Sequence, residues 1–455
     1  MVKLIRILQF NMKKILITYL VLGLFIGELK AQDTIPLSFQ EAVKIGLKQN
    51  VTFQSLNNQQ DVLHMEKRAA QMGHLPRLNL NTSVLQTIGQ QFQQVEGQLI
   101  VVNQVNNIIE GGANAQMPIY NGGMRIKNTQ ASRYFEEAGE YGLSRASQEV
   151  MFNIAQQYLQ VLLDEELYRI ALENLENQKK QLEQIEGFVE AGLRTLSDQY
   201  NQQSEVARLE TVALNSKIQW ETDLWTLAET LQLGPNKLPA LQPVQMENVE
   251  SVYMGRTLQE LYDLAFENRP DLVQQQLLEE GNMKMVAVSR SAMLPQLNAF
   301  FNYNTFFTSL DERNIRDQFL TIYPRRTYGI SLNIPIFNNF ENKVSVARSK
   351  VNLQNQQLEK SALERRVTQE TKLAYENFKA SIKREETTKV QLAAAEEAQR
   401  AISERFRLGV SNFVDLAQAN QQLVTAQSDY AQSLYTLYFQ EVILRFALGV
   451  LDVEV

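Results

Sequence analysis

Two short runs hold the residues best placed to do chemistry. Gly192-Leu193-Arg194-Thr195-Leu196-Ser197-Asp198 and Gly409-Val410-Ser411-Asn412-Phe413-Val414-Asp415 each set an aspartate six residues after a glycine. Both lie between long, proline-free runs of helix formers. Glycine there permits a tight turn between helices. Asp198 and Asp415 then fall in the first two turns of the returning helices, where free amides and the helix dipole favour a carboxylate. Two roles are open for them. One is capping. The other is an ion site, if Asp415 faces an axis about which the chain repeats. Neither is catalytic. His64 and His74 are the only histidines, and their spacing suggests no metal pair. No cysteine is present, which removes disulfides, thiolate metal sites and anchorage through a lipidated N-terminal cysteine. Asn121-Gly122-Gly123 lacks the lysine and context of a phosphate loop. Carboxylates elsewhere sit on helical faces, solvated or in ion pairs. The reading is a protein that is not an enzyme and needs no cofactor.

The elements that position the two turns are unusually long. Residues 338–448 hold no proline and one glycine, Gly409. Read as helix, 340–408 would run about 100 Å at about 1.5 Å per residue. Val344, Ala347, Val351 and Leu358, then Ala374, Phe378 and Ile382, recur at nearly heptad spacing. A helical hairpin results, returning over 410–448. A second such hairpin runs from 121 to 233 around Gly192, with soft breaks expected near Gly139 and Gly142. The net charge of −7 argues against a nucleic-acid partner. Met12-Lys13-Lys14, the apolar run Ile15 to Ile26, and Leu29-Lys30-Ala31 read as an export signal over 1–31, with Met1 and Met12 both open as starts. No later window is an apolar 20-mer, so any membrane crossing must use strands.

Strands are legible by period two. Leu78, Leu80, Thr82 and Val84 alternate with polar residues, followed by a Gln-rich connection with an apolar patch at Leu99–Val102. Ala113, Ala115, Met117 and Ile119 alternate next. Ala299, Phe301, Tyr303 and Thr305, then Tyr328, Ile330, Leu332 and Ile334, form a second pair. Each strand is expected to supply roughly ten residues, enough for a tilted crossing. Phe300, Phe301, Phe306, Phe307, Phe319, Tyr323 and Tyr328 suit the aromatic edge of a membrane band, or else an ordinary β-layer core. Residues 36–72 and 257–293 read as helices, the first opening at Pro36 and the second interrupted by Arg269-Pro270, and Pro239 and Pro243 mark an irregular linker.

The landmarks repeat. Leu294-Pro295-Gln296-Leu297-Asn298 restates Leu75-Pro76-Arg77-Leu78-Asn79, and Ile334-Pro335-Ile336-Phe337-Asn338 restates Met117-Pro118-Ile119-Tyr120-Asn121. Gly409 restates Gly192, and Leu448-Gly449 reads as restating Leu233-Gly234. The chain is therefore divided into a signal (1–31), a first repeat (32–244: helix, strand pair 76–120, hairpin 121–233) and a second repeat (245–455: helix, strand pair 295–337, hairpin 338–448). Four strands cannot close a barrel alone, whereas three chains would give twelve. The short helices could stack end to end on the return helices.

With these marks the chain resembles the TolC-like outer-membrane efflux proteins, over about 36–450. The marks are the duplicated half, the Leu-Pro-x-Leu entries, the Pro118-to-Gly123 exit and the two tips. The resemblance implies a mixed α/β membrane protein: a trimeric, 12-stranded outer-membrane β-barrel continuous with a 12-helix α-barrel in the periplasm. It implies an exit duct of a tripartite efflux or type I secretion system. Its partners would be two further copies of itself, a periplasmic adaptor, an inner-membrane transporter and outer-membrane lipid. It places adaptor docking at Gly192, Leu193, Thr195, Ser197, Asp198, Gly409, Val410 and Asn412. It places the entrance gate at Asp415, Gln418, Phe406 and Ser411. Gln418 stands where members carry a second acid, and Phe406 and Ser411 cannot form the tyrosine and arginine links of some members. A structural coiled-coil scaffold of the envelope is the alternative, which leaves the strands and the duplicated tips unexplained.

Overall fold

The structure is a computed structural model, and it describes residues 33–95, 98–234, 237–243 and 252–452. The expected signal, 1–31, lies outside them. Two helices of equal length, α3 (Met124–Glu190) and α7 (Glu341–Arg407), run most of the molecule's length. Each turns at a glycine into a return helix, α4 (Leu196–Thr230) or α8 (Phe413–Ala447). Gly139 and Gly142 do not break α3. They let Gln60 and Gln274 lie against its backbone, where a Cβ would collide with both side chains.

The 36–72 segment is not one helix. Pro36 lies in β1 (Asp33–Leu37), which pairs in parallel with β4 (Lys237–Leu241) where an irregular linker was expected. The Tyr158 hydroxyl donates within reach of both the Leu37 and Gln242 carbonyls, at 2.9 and 2.7 Å, and ties this small ribbon to α3. α1 (Phe39–Gln49) opens instead at Ser38, whose hydroxyl and amide pair with Glu41 in a capping box. Asn50 stops it and caps α2 (Val51–Met72) by accepting from the Phe53 amide at 2.9 Å. Arg269-Pro270 divides α5 (Leu258–Asn268) from α6 (Pro270–Ser291) at the equivalent place without a side-chain cap, with proline at the first helical position.

A four-stranded antiparallel sheet runs in the order β2 (Arg77–Val95), β3 (Gln98–Asn121), β5 (Gln296–Thr308), β6 (Arg325–Asn333). The first pair is far longer than the expected ten residues, because the Gln-rich connection is itself strand. The β2–β3 ladder continues past Ile108, where β5 stops pairing at Thr308. Register fixes the faces. Leu78, Leu80, Val84 and Ile88 share one face with Ala113 and Ala115, with Ala299 and Phe301, and with Tyr328 and Ile330. Asn79, Asn81, Asn114, Asn302, Asn298 and Ser331 share the other. The aromatics do not form one belt. Phe301, Phe307 and Tyr328 lie on the apolar face and Phe300 and Phe306 on the opposite one, where Phe306 stacks on Tyr323. Phe319 covers Gly111.

The helices form a wall four deep. Towards the turns α4, α3, α8 and α7 pack in that order; towards the sheet α2, α3, α6 and α7 do. α6 begins where α8 ends. Arg269 is buried there, giving hydrogen bonds to Asp271 and Glu370 at 2.7 Å and to the Ala447 carbonyl at 3.3 Å. A guanidinium at a helix C-terminus is favoured by the dipole, and its two carboxylates compensate its burial. The heptad-like stripe of α7 divides. Ala374 and Phe378 are buried against α8 and α5 residues, whereas Val344, Val351 and Leu358 are exposed along the chain's edge.

Candidate functional site at the helical tips

Both turns are built the same way. After α3 the Gly192 amide donates to Val189 (3.0 Å) and the Leu193 amide to Phe188 (2.8 Å). After α7 the Gly409 amide donates to Phe406 (3.0 Å) and the Val410 amide to Arg405 (2.8 Å). This crossed pair of bonds is the Schellman motif, which needs a left-handed residue. Gly192 and Gly409 supply it at φ +72° and +76°, with open space where a Cβ would stand. A third copy ends α8 at Gly449. Its equivalent after α4 is Gln232 at φ +50°, not Gly234, so the matching of Leu448-Gly449 to Leu233-Gly234 slips by two residues.

The N-terminal ends of the return helices differ. Thr195 caps α4 through its hydroxyl, which accepts from the Asp198 amide at 3.2 Å. The Asp198 carboxylate answers by accepting from the Thr195 amide (3.3 Å) and hydroxyl (3.0 Å). Asn412 caps α8 by accepting from the Asp415 amide at 2.9 Å. Among the described residues, Asp415's own carboxylate accepts only from the Ser411 hydroxyl, at 3.4 Å, and the residue is exposed. The Asp198 side chain is thus engaged in its cap, and the Asp415 side chain is nearly free of its own.

Of the other residues singled out, Gly192, Leu193, Thr195, Ser197, Gly409, Val410, Asn412 and Gln418 are exposed. Phe406 and Ser411 are buried. Phe406 packs with Ile185 and Leu416 in a small core shared by the two hairpins. Arg194 closes it: its guanidinium donates to the Phe406 carbonyl at 2.8 Å and lies 4.1 Å from the centre of the Phe406 ring. Arg194, Ile185 and Leu416 escaped sequence reading. The available signal was that Arg194 stands at the repeat position of Ser411, an unlike pair between otherwise matched turns. Around this core the tips expose Leu193, Leu196, Leu408, Val410 and Val414. Behind it the wall is polar. Gln399 donates to Asn420 at 3.0 Å and Asn420 to Gln181 at 3.3 Å, a run of amides linking α7, α8 and α3.

A sheet with one apolar face is thus joined to a wall of paired helices that ends in two exposed turns. The Outer membrane efflux protein family matches over residues 44–231 and 261–450, and the chain belongs to that family. Its members are channels and not enzymes, and membership seats the chain in the outer membrane with a large periplasmic part. It is 22% identical over 311 residues to outer membrane protein TolC of Escherichia coli (strain K12), which covers 67% of this chain and 62% of that protein. The fold matches the CusC channel with a TM-score of 0.77 at 16% identity, covering 91% of this chain and 93% of CusC. It matches the CmeC outer membrane channel of Campylobacter jejuni with a TM-score of 0.76 at 16% identity, covering 90% and 85%.

Proposed function

We propose that the protein is a passive exit duct of a tripartite efflux or type I secretion system, working as a homotrimer. The observation that carries this is the sheet. β2 and β6 are its edges within the chain, and its apolar face displays Leu80 and Tyr328, each 82% exposed. Such a face suits lipid, and two open edges suit pairing between copies, β2 of one against β6 of the next. Three copies would supply twelve strands, an even number typical of outer-membrane barrels. The polar face would then line the pore. The same operation would extend the four-helix wall to twelve helices, seating the exposed Val344, Val351 and Leu358 against a neighbour.

The tips would meet a periplasmic adaptor through Gly192, Leu193, Thr195, Ser197, Asp198, Gly409, Val410 and Asn412, and an inner-membrane transporter through it. Asp415 would line the entrance as a ring of three carboxylates, with Gln418 one helical turn above it and Phe406 and Ser411 holding the tip in place. The test is a gel of detergent-solubilised outer membranes, unheated and heated. A heat-modifiable trimer that forms ion-conducting pores in planar bilayers is expected. A monomer recovered from the periplasm, with no conductance, would return the reading to an envelope scaffold.

A further inference from the structure

Away from the tips, the seam between α2 and α3 gathers groups that the duct does not use. His64 on α2 faces Glu136 on α3, Nδ1 to Oε1 at 2.6 Å. Glu140 stands one helical turn along α3 from Glu136, and the ligand atoms of all three residues lie within 4.8 Å of one another. Glu136 is buried, whereas His64 and Glu140 are exposed. The Lys67 ammonium lies 2.5 Å from both oxygens of Glu136. Gln60, one turn before His64, is 7% exposed and donates to the Glu136 backbone carbonyl at 3.1 Å. Its side-chain oxygen lies against Gly139 and has no hydrogen-bond partner among the described residues.

We propose that this seam is a divalent transition-metal site, formed by His64, Glu136 and Glu140, with Lys67 as its built-in competitor. One imidazole and two carboxylates, drawn from two facing helices, are a donor set suited to Zn²⁺, Cu²⁺ or Ni²⁺. Ligand atoms about 2.1 Å from a metal stand about 3.4 Å apart in a tetrahedral site. Rotation of the exposed His64 and Glu140 side chains supplies that spacing while Glu136 stays fixed, opening the His64–Glu136 pair from 2.6 Å. A buried carboxylate needs a cation beside it, and Lys67 meets that need when no metal is bound. Lys67 is on a flexible stem and partly exposed, so it can swing to solvent and yield its place. The site would sense or buffer periplasmic metal, or brace α2 against α3, apart from the duct itself.

The test uses the full chain in detergent with any affinity tag removed and Cu²⁺ alone as the probe. Only two histidines are present, so the background is small. One Cu²⁺ per chain is expected, with an electron paramagnetic resonance spectrum showing one nitrogen ligand. His64→Ala and the exposed, fold-neutral Glu140→Gln should each weaken binding at least tenfold. His74→Ala should leave it unchanged. Lys67→Met should tighten it several-fold by removing the competitor, a result no general loss of structure can produce. No binding by the native chain overturns the proposal. So does binding that survives His64→Ala, binding that needs His64 but ignores Glu140→Gln, or an affinity unmoved or weakened in Lys67→Met.

Discussion

Arg194→Ala should unfasten the two tips from each other. The guanidinium gives one charge-assisted hydrogen bond to the Phe406 carbonyl and covers the Phe406 ring. That carbonyl belongs to the last turn of α7, where the dipole adds to its pull on a cation. A hydrogen bond to a charged group contributes about 1.5–3 kcal/mol when buried, and a cation–π contact about 0.5–1 kcal/mol at an exposed site. Arg194 is only half-buried, so the lower ends apply, roughly 2 kcal/mol in all. At about 1.4 kcal/mol per factor of ten, local separation of the tips becomes some 20- to 30-fold more frequent. Hydrogen–deuterium exchange reads this directly. Amides of 185–195 and 402–416 should exchange faster by about that factor, while the sheet and the Arg269 junction stay unchanged. Arg194→Lys, which keeps the charge but loses the planar stack, should fall between. If the tips close the entrance, bilayer conductance of Arg194→Ala should also rise. Unaltered exchange at both tips would show that the Ile185–Phe406–Leu416 core alone holds them.

Backbone strain gives two further outcomes. Gly409→Ala and Gly192→Ala meet open space and should each cost about 1–2 kcal/mol for the left-handed backbone, whereas Gly449→Ala should cost more, because its Cβ would stand 2.8 Å from the Arg269 backbone; chemical denaturation ranks the three. Gln232→Gly should raise the melting temperature, since an exposed residue at φ +50° is relieved of strain. The Asp164 carboxyl is pushed up to about 7 by burial and by Asp223 beside it, against an ordinary value of 3.8. The folded chain then holds a proton that the unfolded chain has lost, so this group's contribution to stability falls as pH rises from about 4 to about 7 and is flat above; Asp164→Asn should flatten that slope in thermal melts.

The fold was legible where periodicity is long and unbroken. Two proline-free runs around Gly192 and Gly409 leave few alternatives to helical hairpins, and residues alternating from Leu78 and from Tyr328 leave few to strands. Reading failed where local composition and tertiary context disagree. Gln90 to Gln104 looks like a polar connection, yet the β2–β3 ladder continues through its described residues. Beneath the glutamines the alternation persists, with Ile88 opposite Val105 and Phe92 opposite Val101, and the partner strand follows at once in the chain. Pro36 and Pro239 argue against strands in a sheet interior, but β1 and β4 form a ribbon with two edges and tolerate them. Gly234 drew the eye because glycine favours helix ends, while the structure places the left-handed residue at Gln232. At the tips, residue types indicated the turn and the caps. They could not show that Arg194 crosses to the other hairpin, because that contact spans 212 positions.

The two aspartates separate capping from ion selection because the structure treats them differently. If capping were the whole role, Asp198→Asn and Asp415→Asn would cost alike. Asp198 accepts two hydrogen bonds that close its capping box, so replacing it should lower the stability of α4's first turn by about 0.5–1 kcal/mol. Asp415 contributes its amide to the cap, which asparagine keeps, and its carboxylate meets only a long bond from Ser411. Asp415→Asn should therefore scarcely change stability. In a trimer with Asp415 on the axis, the same substitution would remove three negative charges from the narrowest part of the path and lower cation preference. Gln418→Asp, one turn further in, should raise it. Reversal potentials under a salt gradient and denaturation of both mutants give four numbers with opposite ranking: stability lost at Asp198, selectivity lost at Asp415. A reversal potential unchanged in Asp415→Asn would remove the ring, and equal stability losses at the two positions would mean that Asp415's carboxylate works in its cap after all.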